Sequence, residues 1–317
     1  MPRRHLDARP APRASLYDEV TALIVAQLEQ GCVPWVQPWD SAALAGPSLP
    51  RNARSGRAYS GINILILWHA AVAGGYPSQG WLTFAQAVSA GGAVRRGERG
   101  TTVVFADRFV PGAERERAAR EGDDARQVPF LKRFTLFNVA QCDGLPHDLA
   151  ADPPPLPEAE VPPLTRALIA ASGADFRIGG AQAFYAPGGD FVQVPPPCAF
   201  PDPVNWYRTA LHELTHWTGH RKRLARDQSG AFGSAAYARE ELAAEMGSAF
   251  LCAALGIVPT VRHADYIGAW LAVLRGDNRA IFRAAAAASK AASYLLALHE
   301  QAGAAALENP QAERIAA

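Results

Sequence analysis

Cysteine is scarce in this chain and never paired at short range. Cys32, Cys142, Cys198 and Cys252 are scattered, with no Cys-x-x-Cys pair. Neither a cysteine-type zinc site nor a disulfide framework is indicated, and reduced thiols in the cytoplasm are expected. Long apolar runs are lacking too. The longest, around Ala249 to Val258, falls far short of a membrane span, so no membrane partner is expected. The opening Met1-Pro2-Arg3-Arg4-His5 is basic, but no apolar stretch follows, and no secretory signal is expected. Strong net charge is also absent: 31 Lys and Arg stand against 30 Asp and Glu, leaving +1.

That balance hides an asymmetry. Residues 1–145 carry 17 basic against 13 acidic side chains, or +4, and the remainder 14 against 17, or −3. A modest basic excess permits nucleic-acid binding in the first part without requiring it. At 317 residues there is room for two domains, each able to bury its own core. Asp152 to Pro163 holds six prolines in twelve residues and reads as a semi-rigid extended linker. The expected division is a flexible lead-in over 1–15, a first domain over 16–146, a linker over 147–163, a second domain over 164–300 and a tail over 301–317. Pro111 to Gln127, dense in alternating charge, is expected to form a mobile insertion between two strands.

What is present is led by His212-Glu213-Leu214-Thr215-His216. Residues four apart share a helix face, so both imidazoles can reach one metal ion while Glu213 stays free to handle a proton. This is the HExxH arrangement of zinc hydrolases. Asp202-Pro203 can open the helix that carries it, and Gly219 offers a stop. A third ligand is expected from Tyr237 to Gly247, where Glu241 and Glu245 lie one turn apart and Glu240 points about 100° away. Glu241 is favoured as ligand, with Glu245 as the alternative. A neighbouring carboxylate, Glu245 or Glu240, is then free to orient a liganding ring. His220 comes too early after His216 for a third histidine ligand and is expected at the helix end. The ion expected is zinc, or another divalent transition metal. Tyr237 and Tyr266 are the nearest candidates to stabilise an oxyanion, against a plainer role in packing. Gln182 to Tyr185 and Phe191 to Val194 read as a hairpin whose edge can hold an extended peptide.

The first domain interleaves aromatics with basic loops, as a binder of single strands requires. Candidate contacts are Trp35 and Trp39 in Pro34 to Trp39, then Arg51, Asn52, Arg57, Tyr59 and Asn63 on a Gly-broken loop. Trp81 and Gln86 follow, then Arg95 and Arg96 before a strand, and Lys132 and Arg133 in another. The competing reading makes the Trp and Tyr rings core plugs and the arginines ordinary surface.

Long joint motifs then resemble the ArdC-type antirestriction proteins of conjugative plasmids. They are Gly31 to Trp35 with Pro38-Trp39, Arg51-Asn52, Gly56 to Asn63, Trp81 to Gln86, Arg96 to Gly100 and Phe137 to Gln141. Leu211 to His220 and Tyr237 to Glu245 extend the resemblance to the second half. It covers about Leu16 to Leu296. It implies an α+β chain of two domains: an N-terminal domain that binds single-stranded DNA and a zincin-like metallopeptidase domain. It also implies protection of incoming plasmid DNA from restriction. On that resemblance His212 and His216 are metal ligands and Glu213 the general base, with a host protein as substrate; the resemblance does not separate Glu241 from Glu245, and Glu241 stays the favoured third ligand. Two other readings stay open: a SprT-like protease acting on DNA-bound or crosslinked proteins, and a non-enzymatic DNA shield with a structural metal.

Overall fold

Ser15 opens the first helix with a reciprocal capping box, its side chain accepting from the Asp18 amide while Asp18 caps the Ser15 backbone. Helix α1 (Leu16–Glu29) buries Val20, Thr21, Ile24 and Leu28 on one stripe. The computed structural model describes residues 15–36, 48–150, 161–259 and 266–308. Strand β1 (Arg51–Asn52) precedes α2 (Ile62–Gly74), which is apolar on every side and accordingly enclosed. Then come β2 (Gly80–Leu82), the short α3 (Phe84–Ser89), β3 (Ala93–Val94) and β4 (Thr101–Phe109). Helix α4 (Gly112–Glu121) joins β4 to β5 (Val128–Asn138), followed by β6 (Cys142–Asp143) and α5 (His147–Ala150). One sheet has the order β1-β2-β5-β4, parallel only between β1 and β2, and the β4–β5 register runs from Thr101 opposite Leu136 to Phe109 opposite Val128.

The segment expected as a mobile charged insertion contains α4. Its Ala, Glu and Arg residues are strong helix formers, and Arg117 binds Glu114 (2.7 Å), Glu121 and Asp123 across successive turns.

The second half begins with α6 (Val161–Ala171), and β7 (Asp175–Ile178), β8 (Phe184–Ala186) and β9 (Phe191–Val194) form a sheet ordered β7-β9-β8. The hairpin read from the sequence is β8–β9, which leaves β8 at the sheet edge. Helix α7 (Pro203–Thr218) starts on an Asp202 cap with Pro203 in the first turn. After it come α8 (Ala235–Ala254), α9 (Ile267–Gly276) and the alanine-rich α10 (Ala280–Glu308). By length and composition α10 alone among the described residues reaches a membrane span, but Ala285, Ala288, Ala291 and Leu295 are fully buried inside the protein, which marks a core helix.

The core does not divide at the linker, contrary to the expectation of two separate cores. Trp68 of α2 meets Phe250 of α8 edge-on, 5.7 Å between ring centroids, and Trp35 meets Trp270 of α9 at 5.4 Å. The Thr21 hydroxyl donates to the Asn278 carbonyl (2.7 Å), and the Gly61 amide donates to Ser289 Oγ (2.7 Å). One apolar cluster therefore runs from α1 and α2 through α7, α8 and α10.

Candidate metal centre

Helices α7 and α8 lie side by side, and the reason is a glycine. A Cβ at Gly247 would stand 2.5 Å from the Thr215 methyl, so only glycine admits this approach. Gly247→Ala is expected to part the helices and weaken metal affinity at least tenfold by isothermal titration, with partial recovery in Gly247→Ala/Thr215→Ser, which removes the clashing methyl. Unchanged affinity in the single variant would show that the approach does not matter.

His212 and His216 sit one turn apart on α7 with their Nε2 atoms 3.2 Å from each other. Glu241 of α8 faces both: its Oε2 lies 3.5 Å from His212 Nε2 and its Oε1 3.4 Å from His216 Nε2. An ion about 2.0–2.1 Å from each donor, at tetrahedral angles, spaces such donors about 3.3–3.4 Å apart. The two nitrogens stand at about that spacing and each has a different Glu241 oxygen near it, and a set of two imidazoles and one carboxylate suits a divalent transition metal. Glu245 and Glu240 stand behind the rings instead. Glu245 Oε1 is 3.8 Å from His212 Nδ1, and Glu240 Oε1 is 3.1 Å from His216 Nδ1. A carboxylate on Nδ1 draws the proton there and leaves Nε2 for a metal.

Glu240 is itself clamped. Arg226 donates to both its oxygens (2.9 and 3.0 Å) and to the Thr215 carbonyl (2.6 Å), while Gln228 bridges the His216 carbonyl (2.7 Å) and Glu240 (3.1 Å). Gly219 does end the helix near where the sequence placed the stop, but in right-handed conformation, φ −72°. Its value lies in space: a Cβ would meet Gln228 Nε2 at 2.6 Å and Arg226 Nη2 at 2.8 Å. Arg226, Gln228 and Gly247 were not visible in the sequence, where they belong to no periodic pattern. His220 lies outside the cluster, its Nδ1 3.6 Å from Asp190 Oδ2. Asp190 also takes Arg223 and the Tyr185 hydroxyl (2.9 Å), pinning the β8–β9 turn to the segment after α7.

The electrostatics call for a cation. Burial disfavours a charged His216 ring, yet Glu240 and Glu241 outweigh it and raise the ring to about 10. Against the pull of burial, His216 and Arg226 hold Glu240 down at about 2, and His212 and His216 hold Glu241 lower still. Glu213, 5 % exposed, shares the floor of the cleft with the two histidines and Glu241. Ala183, Phe184 and Tyr185 on and beside β8 form one wall, and Tyr237 stands on the other. Burial, then Tyr266 and Glu241, push the Tyr237 phenol well above its ordinary range, so it stays protonated. Its hydroxyl is 3.3 Å from that of Tyr266, which backs it and stacks on Trp270.

The candidate DNA contacts separate sharply. Trp35 and Trp81 are fully buried and cannot stack on bases; enclosing two large indoles stabilises the fold more than exposing them. Trp39 lies outside the described residues. Asn63 clips β4 through both polar atoms, on Val104 N (2.9 Å) and O (2.7 Å). Gln86 caps α3 and accepts from Asn52 (3.1 Å), whose own oxygen organises the turn at Arg54 and Ser55. Those amides serve the fold. Arg51 and Tyr59 are half-buried, while Arg57, Arg95, Arg96, Lys132 and Arg133 are exposed. Of these, Arg95 pairs with Glu98 (2.7 Å) and Arg133 with Glu19 (3.0 Å).

Residues 14–137 match the family described as the N-terminal domain of anti-restriction factor ArdC, and residues 163–287 match the zincin-like metallopeptidase family. The chain is 42% identical over 298 residues to protein y4eC of Sinorhizobium fredii, covering 91% of this chain and 94% of that one. It is 38% identical over 300 residues to the DNA primase TraC of Escherichia coli, spanning 90% of itself but only 27% of the primase. Two crystal structures of the antirestriction ArdC protein from plasmid R388 superpose on it at 38% identity. The metal-free form has a TM-score of 0.76 and covers 91% of this chain and 99% of that one. The Mn(II)-bound form has a TM-score of 0.74 and covers 90% and 98%.

Proposed function

Because the chain belongs to the ArdC antirestriction family and carries that family's zincin-like metallopeptidase region, we propose that it protects incoming plasmid DNA from restriction in the recipient's cytoplasm. In this reading residues 16–146 bind single-stranded DNA, and residues 164–300 hold zinc on His212, His216 and Glu241 and hydrolyse a host protein. The observation that carries the second half is the convergence of His212, His216 and Glu241, each offering a ligand atom within 4.8 Å of the others, beside an open cleft. A structural zinc site is closed by four protein ligands; among the described residues this cluster has three. That favours an enzyme over a structural metal.

A divalent ion at this point supplies Lewis acidity to a peptide carbonyl and to water. The residues do the rest. Glu213 takes a proton from water in the cleft and returns it to the leaving amine. The Tyr237 hydroxyl donates to the oxyanion that develops on the substrate carbonyl. The edge of β8 holds the substrate extended by strand addition, with Tyr185 fixed from behind by Asp190. Glu240 orients the His216 ring, while Glu245 lies 3.8 Å behind that of His212.

The test is transfer of unmodified plasmid into a restricting recipient that carries full-length wild type, Glu213→Gln, or Arg57→Gln/Arg96→Gln/Lys132→Gln. Deletion of the N-terminal half is a poor test, because it removes part of a shared core. Both variants are expected to lose protection, and the triple variant to lower the salt slope of single-strand binding by about 2. Protection by Glu213→Gln equal to wild type would leave the DNA-shield reading in its place.

A further inference from the structure

We infer that the strip formed by the exposed Val88 and Phe84 with the half-buried Phe137 is the base-stacking track for single-stranded DNA, with Arg54 and Arg99 contacting phosphates at its two ends. The inference rests on the DNA-binding reading above and replaces the buried tryptophans with rings that face solvent. Phe84, the first residue of α3, is 58 % exposed, and Val88 one turn on is 51 % exposed. The Phe84 ring meets Phe137 of β5 edge-on at 6.4 Å between centroids. Gly100 keeps the far end flat: a Cβ there would lie 3.0 Å from the Phe137 ring and 2.3 Å from the Thr135 methyl. Contiguous uncovered apolar side chains of this size mark an interaction surface.

Charge selects the occupant. Residues 51–100 hold six arginines and one acid, Glu98, and that acid is engaged by Arg95 (2.7 Å) and Gln141 (2.9 Å). Arg54 is exposed and reaches Ser89 at the C-terminal end of α3, while the exposed Arg99 directly precedes Gly100. Cations flanking rings are what a single-strand track requires, since every base has a face to stack and every linkage a phosphate. A second exposed ring pair, Phe105 with Phe134, sits on the β4–β5 hairpin. There residues 101–138 carry seven cations against six acids, so beyond single cations such as Lys132 the hairpin has a weaker net field for phosphate than residues 51–100.

The experiment is fluorescence anisotropy of full-length protein with a labelled oligothymidine over a salt series. Phe84→Ala is expected to weaken binding roughly tenfold at constant salt slope, Phe84→Trp to retain it, and Phe105→Ala to change nothing. Arg54→Gln and Arg99→Gln are each expected to lower the slope by about 0.7. Melting midpoints check that Phe84→Ala remains folded. Wild-type affinity in Phe84→Ala, or loss confined to Phe105→Ala, overturns the track while leaving DNA binding intact. No binding by wild-type protein overturns the DNA reading and the track together.

Discussion

Glu213→Gln is expected to bind its metal as tightly as the wild type and to lose peptide hydrolysis by about 10²–10⁴-fold. The two halves of that result follow from different atoms. The donors are the Nε2 atoms of His212 and His216 and the carboxylate of Glu241, none of which the substitution touches. Gln preserves the shape of a side chain that is 5 % exposed, so no cavity opens between α7 and α8. What disappears is, among the described residues lining the cleft, the carboxylate that lies outside the His212, His216 and Glu241 cluster and does not face a histidine Nδ1. Metal content by elemental analysis and turnover of an unfolded protein substrate measure the halves separately. Loss of metal in Glu213→Gln would place Glu213 among the ligands; full turnover would remove it as the base.

The histidine pair was legible because four-residue spacing on a helix has one geometric consequence, whatever surrounds it. The same spacing placed Glu241 and Glu245 on one face of a helix rich in Ala and Glu, but could not choose between them; the structure puts Glu241 at the two Nε2 atoms. The assignment of the remaining acids was not. Glu245 and Glu240 both stand behind a histidine ring, and the second orientation depends on Arg226 and Gln228 from an irregular segment whose fold no periodicity encodes. Trp35 and Trp81 misled because an indole suits a core and a base-stacking surface equally, and only neighbours decide. Phe84, the better stacking candidate, stands three residues after Trp81 at a helix start, and nothing in the sequence tells which of the two rings faces solvent.

The clamp on Glu240 and the turn lock on Asp190 act on the same cleft from opposite sides. Arg226 fixes the helix that presents His216; Arg223, three residues earlier, fixes the strand edge that forms the opposite wall. The segment after α7 thus ties both helices of the metal-ligand cluster to the β8–β9 turn, and in the proposed peptidase a displacement of about 1 Å between them would be costly.

Trp68→Ala is expected to destabilise the entire chain by about 3–5 kcal/mol in a single transition. Trp68 is fully buried on α2, meets Phe250 on α8 across the two matched families, and donates its indole N–H to the Ser48 carbonyl (3.0 Å). Truncation removes ring contacts on both sides of the linker and leaves a carbonyl without its donor. Six prolines made residues 152–163 look like a boundary between independent bodies. A linker sets the path of the chain; the apolar faces of α1 and α2 set what they pack on, and here that is α8, α9 and α10. Calorimetry is therefore expected to show one endotherm in both proteins, displaced downward on the order of ten degrees in the variant. Phe105→Ala, on the exposed hairpin, is expected to shift it by far less. Two resolved endotherms, only one of which moves, would mean that the halves unfold separately and that DNA binding and the metal centre share no structural support.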